Sequence, residues 1–266
     1  MIDFFTEAGR DEVLITLRMH IIKSALALAF VVALSAPAGR AQTLVFHHGA
    51  TNPQLEGWNR GISGFPYPTA GAVLDQSIEA WEVNKTIADS SLTYSYTIGE
   101  ADLLAAKQKG WSFSFSLFVA EYPSPADGSI YFQVNTNGEV WNAKIGATEG
   151  GAPILQFGYG SYPAYNLSSG GGEYHDYELI YNPIEGNLDL YIDGIVRMNQ
   201  IEGGVSGGIP ATGTVSWGAS GFTGTGSGHW SSVEFSIIPE PASFGIYAGA
   251  LSIMISCLSR KVRRRS

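Results

Sequence analysis

Cysteine is nearly missing from this sequence: it occurs once in 266 residues, at Cys257. A single thiol excludes an intrachain disulfide framework and a cysteine-ligated zinc or iron–sulfur site. Charge is scarce too, with 15 basic and 24 acidic side chains, and the basic ones gather at the two ends. Between Gln42 and Ile238 stand 6 basic residues (Arg60, Lys85, Lys107, Lys109, Lys144, Arg197) against 19 acidic ones, a net charge near −13. A surface that acidic repels phosphate backbones, and no basic stripe with interleaved aromatics occurs, so nucleic acid is excluded as a partner. The 33 glycines follow no G-X-Y period, which excludes collagen, and 45% apolar content is too high for a disordered chain. No repeat period marks a propeller or solenoid.

What is present begins with the two ends. Met1 to Arg18 carries mixed charge without a sustained period and reads as an over-extended start. From Met19 a short n-region with Lys23 leads into Ser24–Leu34, apolar apart from Ser24, and then into Ala36-Pro37-Ala38-Gly39-Arg40-Ala41. A cationic start, an apolar stretch and a small-x-small exit describe a secretory signal peptide over residues 1–41, cut before Gln42 or after Ala38. The apolar stretch spans only roughly 16 Å as a helix, about half of a ~30 Å hydrocarbon core, so it does not read as a membrane anchor.

At the other end Pro239-Glu240-Pro241 leads into Ala242–Leu258, which holds no charge, and then into Arg260-Lys261-Val262-Arg263-Arg264-Arg265. As a helix the uncharged run reaches about 25 Å, at the short end for a span. The basic cluster keeps the C-terminus cytoplasmic by the positive-inside rule, which puts everything upstream outside, in agreement with the signal peptide. This tripartite tail, residues 239–266, resembles the PEP-CTERM sorting signal of Gram-negative bacteria. The motif falls on Pro239, Glu240 and Pro241, the span on 242–258, and the basic end on Arg260, Lys261, Arg263, Arg264 and Arg265. The resemblance implies processing by an exosortase-type membrane enzyme, at least transient anchoring in the inner membrane, and a destination at the cell surface or in an exopolysaccharide matrix.

The exported body, 42–238, is dominated by strand signals. Thr93–Ile98 and Trp111–Phe118 alternate aromatic or apolar residues with Ser and Thr, a period of two that places the aromatics on one face. Asn135-Thr136-Asn137-Gly138 reads as a hairpin turn between Ile130–Val134 and Glu139–Ile145. Tyr177–Tyr181, the turn Asn182–Gly186, Leu188–Ile192, the turn Asp193-Gly194 and Ile195–Arg197 follow in the same style, with Thr214–Trp217 and Trp230–Ile238 closing the set. Glu100–Lys109, acidic at its start and basic at its end, is the one credible helix of the body. Many short strands with regular turns predict an all-β sandwich or barrel.

Tyr174–Tyr181 followed by Leu188–Gly194, and His229–Phe235 after a glycine-rich loop, resemble the late strands of concanavalin A-like lectin/glucanase (laminin-G-like) domains. The resemblance implies an antiparallel jelly-roll β-sandwich; a sandwich of carbohydrate-binding-module type is its competitor. Glucanases of that family carry paired glutamates, commonly as E-x-D-x-x-E on one strand. The nearest string, Glu100-Ala101-Asp102-Leu103-Leu104-Ala105, lacks the final acid and reads as a helix start, while Glu178 and Asp189 stand alone on strands. No H-E-x-x-H or G-x-S-x-G occurs, and His47, His48, His175 and His229 read as rim or turn residues. No catalytic or metal-binding residue is therefore assigned. For Ca2+, Asp127-Gly128 and Asp193-Gly194 offer oxygens, although Asp-Gly is also the ordinary hairpin turn.

Phe157–Asn166 combines Tyr159, Tyr162 and Tyr165 with Asn166 in a predicted loop, and aromatic faces with an amide suit sugar rings. The competing reading is an aromatic-padded edge strand. Trp141, with Trp58 and Trp81, joins the ligand-binding candidates unless the core takes it. The sequence thus reads as an exported, non-enzymatic surface or matrix protein that associates with exopolysaccharide or another glycan. A glycoside hydrolase or lyase of the same fold and a structural adhesin with protein partners are the alternatives.

Overall fold

A computed structural model describes residues 41–120, 130–136, 138–147, 153–158, 165–166, 172–205, 213–220 and 224–238. They belong to one compact unit, Ala41–Ile238. The expected signal peptide, Pro239–Pro241, the span 242–258 and the basic end all lie outside the described residues. Among the described residues no helix is long and apolar enough to cross a membrane.

The strands are β1 (Gln42–His48), β2 (Asn59–Ser63), β3 (Thr69–Asp75), β4 (Ile78–Lys85), β5 (Ser91–Ile98), β6 (Trp111–Val119), β7 (Ile130–Asn135) and β8 (Glu139–Ala147). They continue as β9 (Pro153–Phe157), β10 (Tyr165–Asn166), β11 (His175–Asn182), β12 (Asn187–Ile192), β13 (Ile195–Glu202), β14 (Gly204–Val205), β15 (Gly213–Ala219) and β16 (Gly226–Ile237). A 3-10 turn, Pro53–Glu56, follows β1, and a helix, α1 (Glu100–Lys109), lies between β5 and β6. Two antiparallel sheets form a sandwich. The first runs β13-β12-β11-β6-β16-β4-β3, with β1 also paired to β16; the second runs β10-β9-β8-β7-β15-β5-β2, with β14 on β8.

The period-two pattern does what it predicts on β6, where Trp111, Phe113, Phe115, Leu117 and Val119 are all buried between the sheets. Phe118 is the exception to the expectation that the aromatics share a face. It has the opposite parity and lies on the outside of the first sheet, against the rings of Tyr174 and His229. The two sheets meet through rings: Phe113 and Phe115 touch Phe132, and Trp230 packs on Trp217, with centroids 5.1–5.8 Å apart, while Tyr94, the cross-strand neighbour of Trp217 in the second sheet, packs on its ring at 4.8 Å. Trp81 Nε1 donates to Tyr94 Oη at 2.9 Å, so a buried N–H and a buried hydroxyl satisfy each other.

Helix α1 spans the residues its charge pattern predicts. Leu103 and Ala106 are its buried residues. Turn chemistry also follows the sequence: Asp193 and Gly194 both take positive φ, 54° and 72°, as a two-residue hairpin requires. Strands β1 to β4 were not legible in the sequence. β2 is exposed along its length and β3 buries none of its residues, so neither shows an alternating apolar face.

Candidate functional site

The tyrosine-rich segment resolves into two pieces around undescribed residues. Phe157 ends β9 and is buried, whereas Tyr165 and Asn166 form β10 at the edge of the second sheet. Tyr165 pairs with Leu155 and packs against the core, with the Arg197 guanidinium 5.9 Å from its ring centroid. For Tyr165 and Asn166 this is an aromatic-padded edge strand, with Tyr165 half-buried and Asn166 exposed. Tyr159 and Tyr162 lie outside the described residues. Trp141 needs correction as a binding residue: it is 1% exposed and wedged between Trp111 and Tyr181. Its parity on β8 points it inward with Ala143 and Ile145, because a large indole on an inward position of a sandwich has nowhere else to go. Trp58 and Trp81 are buried too.

The histidines are not all rim residues either. His47 is 2% exposed; its Nδ1 lies 2.6 Å from Glu56 Oε2 and its ring stacks on Trp217 at 5.1 Å. Burial pushes its pKa down, against the opposing pull of Glu56. His175, also buried, has Nδ1 2.9 Å from Asp193 Oδ2, and Asp193 Oδ1 accepts the Asp176 N–H. His229 has Nδ1 3.1 Å from Asp75 and Nε2 3.7 Å from Glu82. Beside it Tyr174 is pushed up to about 12 by burial, with Asp75 adding to the effect.

Each pair fastens a turn or hairpin to the body: the 3-10 turn, the β12–β13 hairpin and the end of β3. A nucleophile would need its hydroxyl on the imidazole. The neighbouring Ser227 hydroxyl instead donates to Glu82 at 2.9 Å. Among the described residues no group of three or more His, Cys, Asp or Glu is placed to hold a metal ion. Asp193, one of the two aspartates considered for Ca2+, is engaged with His175 and Asp176; Asp127 lies outside the described residues.

The outer faces of the two sheets differ in chemistry. On the first, cross-strand rows run Asp176–Ser116–Ser232 and Glu178–Ser114–Glu234, so acids flank a line of serines. On the second, one row runs Gln156–Lys144–Tyr131–Gly218–Thr93–Gly61. The next runs Asn142–Gln133–Ser216–Ser95–Asn59. These two rows contain no carboxylate, and Lys144 is their one charged residue. The Tyr131 hydroxyl donates to the Gln133 side-chain carbonyl, which fixes the amide and leaves its NH2 as a donor. Strand pairing holds these groups about 4.8 Å apart across the sheet. Such a face offers a planar array of amides and hydroxyls around one phenol ring. It can hydrogen-bond a ligand rich in hydroxyls, with Lys144 as the one charged group in these two rows. Sequence reasoning passed over it because its residues are the unremarkable polar half of each alternating strand; only the register puts them side by side.

No protein-family model matches the chain, and no curated protein sequence does. Solved structures do resemble it. The carbohydrate esterase vb_24B_21 of the Shiga toxin-encoding bacteriophage phi24B matches with a TM-score of 0.54 and 14% identity, over 74% of this chain and 99% of that one. Domain 4 of AbnA, a GH43 extracellular arabinanase of Geobacillus stearothermophilus determined with arabinotriose, matches with a TM-score of 0.47 and 11% identity, over 77% and 97% of the two chains. A sialidase of Trypanosoma rangeli matches with a TM-score of 0.46 and 10% identity, over 84% of this chain and 37% of that one. At such identities the likeness to the esterase is one of fold.

Proposed function

We propose that the chain is an exported surface or matrix protein of a Gram-negative bacterium whose β-sandwich, a jelly roll of concanavalin A-like type, associates with exopolysaccharide or another glycan. The observation that carries this reading is the outer face of the second sheet. In a body near −13, two adjacent rows of amide, hydroxyl and phenol groups are free of carboxylate. Sugar hydroxyls are satisfied by amides and hydroxyls, and pyranose C–H faces pack on aromatic rings. The described carbohydrate esterase with the same fold is consistent with such a use, but the face carries the reading.

The tail supports the sorting half of the proposal. Pro239–Pro241, the uncharged run to Leu258 and the arginine cluster stand in the order of a PEP-CTERM signal. In this reading an exosortase-type enzyme receives the protein in the inner membrane and passes it on to the surface or matrix. Deletion of residues 239–266 is expected to release the body, unprocessed, into the periplasm or medium; immunoblots of cell fractions check this. Unchanged localisation and mass would refute it.

For the glycan half, the full chain in detergent is expected to be retained by the host's own polysaccharide in affinity electrophoresis. Gln133→Ala with Ser216→Ala should weaken that retention by roughly tenfold, the loss of about one or two hydrogen bonds. Steady release of reducing sugar, abolished by a single Glu→Gln change, would replace this reading with that of a glycoside hydrolase.

A further inference from the structure

The loop between β2 and β3 leaves two aromatic rings in water. Phe65 is 85% exposed and Tyr67 58%, and they stand edge to face at 5.9 Å with an interplanar angle of 87°. A sandwich with six tryptophans already in its core has the means to hide such rings, and this loop does not use it.

The loop is held firmly at both ends. At its start, Gly64 has φ +83° and lies so close to Asp89 and Ser90 that a Cβ would come within 2.6 Å of the Asp89 carbonyl oxygen. Ser90 there is buried and its hydroxyl donates to the Ile87 carbonyl. At its end Pro68 is buried. Two prolines, Pro66 and Pro68, fix φ between and after the rings. A rigid aromatic pair loses little conformational freedom when it binds, which is the usual economy of an aromatic recognition surface.

The loop also starts at a particular place. Ser63, the last residue of β2, shares a hydrogen bond of 2.7 Å with Ser91 across the strands. These two serines have the parity of Gly61 and Thr93, so the aromatic pair follows directly on the margin of the amide-and-hydroxyl face.

We infer that Phe65 and Tyr67 form an aromatic clamp for the pyranose rings of an uncharged polysaccharide that runs off that face at its β2 edge, an inference that rests on the glycan reading above. The chemistry selects this occupant. Two rings at right angles present two faces to the C–H surfaces of successive sugar units, with the Tyr67 hydroxyl and the Ser63–Ser91 pair supplying polar partners. Asp89 is the one charged residue in the adjoining segment 86–91, which disfavours an anionic sugar beside the clamp, although exposed Arg60 stands earlier on β2. The body's negative charge repels an anionic bilayer, which disfavours membrane insertion of the same rings.

The test compares the full chain in detergent with Phe65→Ala/Tyr67→Ala and with Phe65→Trp/Tyr67→Trp. The probes are the host polysaccharide, the insoluble neutral glucans cellulose and curdlan, and vesicles of phosphatidylcholine with phosphatidylglycerol. Both rings are exposed, so all three proteins should share one thermal midpoint, which separates lost binding from lost folding. Retention on polysaccharide should fall by roughly tenfold or more in the alanine variant and recover in the tryptophan variant. Wild-type retention that the alanine variant keeps would overturn the clamp while leaving the glycan reading intact. A wild type retained by none of the polysaccharides would bring down both. Loss confined to vesicle binding would reassign the rings to a membrane.

Discussion

Trp81 and Tyr94 show how a single buried pair constrains this protein. Tyr94→Phe removes the hydroxyl that accepts the Trp81 N–H and leaves that donor buried without a partner. The change should cost about 1–3 kcal/mol, read as a lower urea midpoint with an unchanged slope. His47 makes a pH prediction. Its folded pKa lies below the ordinary 6.5 because burial opposes the charged ring. The unfolded chain therefore binds the proton first, and this contribution to stability is complete above the unfolded pKa and declines as pH falls through about 6.5 towards the folded value. Urea midpoints at pH 7 and pH 5 should show the loss, and His47→Leu should make the decline shallower. Read from the sequence as a rim or turn residue, His47 lies instead in the core, because its ring meets Trp217, some 170 residues away in the chain.

At the scale of elements, α1 was readable to the residue because its signals are local: two acids in the first turn, two lysines in the last, and Gly110 behind them. Its purchase on the body is not local. Leu103 lies beneath Gly213 and beside Ile98, where a Cβ on the glycine would come within 2.7 Å of its methyl group. Leu103→Ala should destabilise the fold by about 2–5 kcal/mol, and Gly213→Ala should act on the same spot by overpacking; equilibrium unfolding of the two single variants and the double checks their coupling. In the β2–β3 loop, Gly64→Ala meets both a positive φ and the Asp89–Ser90 backbone, and a loss of about 1–3 kcal/mol is expected by the same measurement.

For the whole molecule, the decisive property is the separation of charge between two faces of one sandwich. Acids line the serine rows of the first sheet, whereas the adjacent rows of the second are free of them. If the second face takes an uncharged glycan, retention on it should hardly change between low salt and roughly 0.5 M salt, where charge–charge attraction would be largely screened. Affinity electrophoresis across that range checks the point, and a steep loss with salt would place binding on the acidic face instead.

Antiparallel strands, the three hairpin turns at Asn135–Gly138, Asn182–Gly186 and Asp193-Gly194, the place of the helix and the shortage of positive charge could all be read from the chain. Those properties are written in neighbouring residues, through alternation, turn chemistry and composition. Which aromatics are core and which are surface depended on the packing of the two sheets. Trp141 and Phe65 look equally available in a list of rings, and they differ because one has a facing sheet to pack against and the other leaves the sheet on a pinned loop. The candidate face was illegible for a related reason: Gln133, Asn142 and Ser216 are ordinary outward residues on three strands, and strand register, which no local signal encodes, makes them one surface.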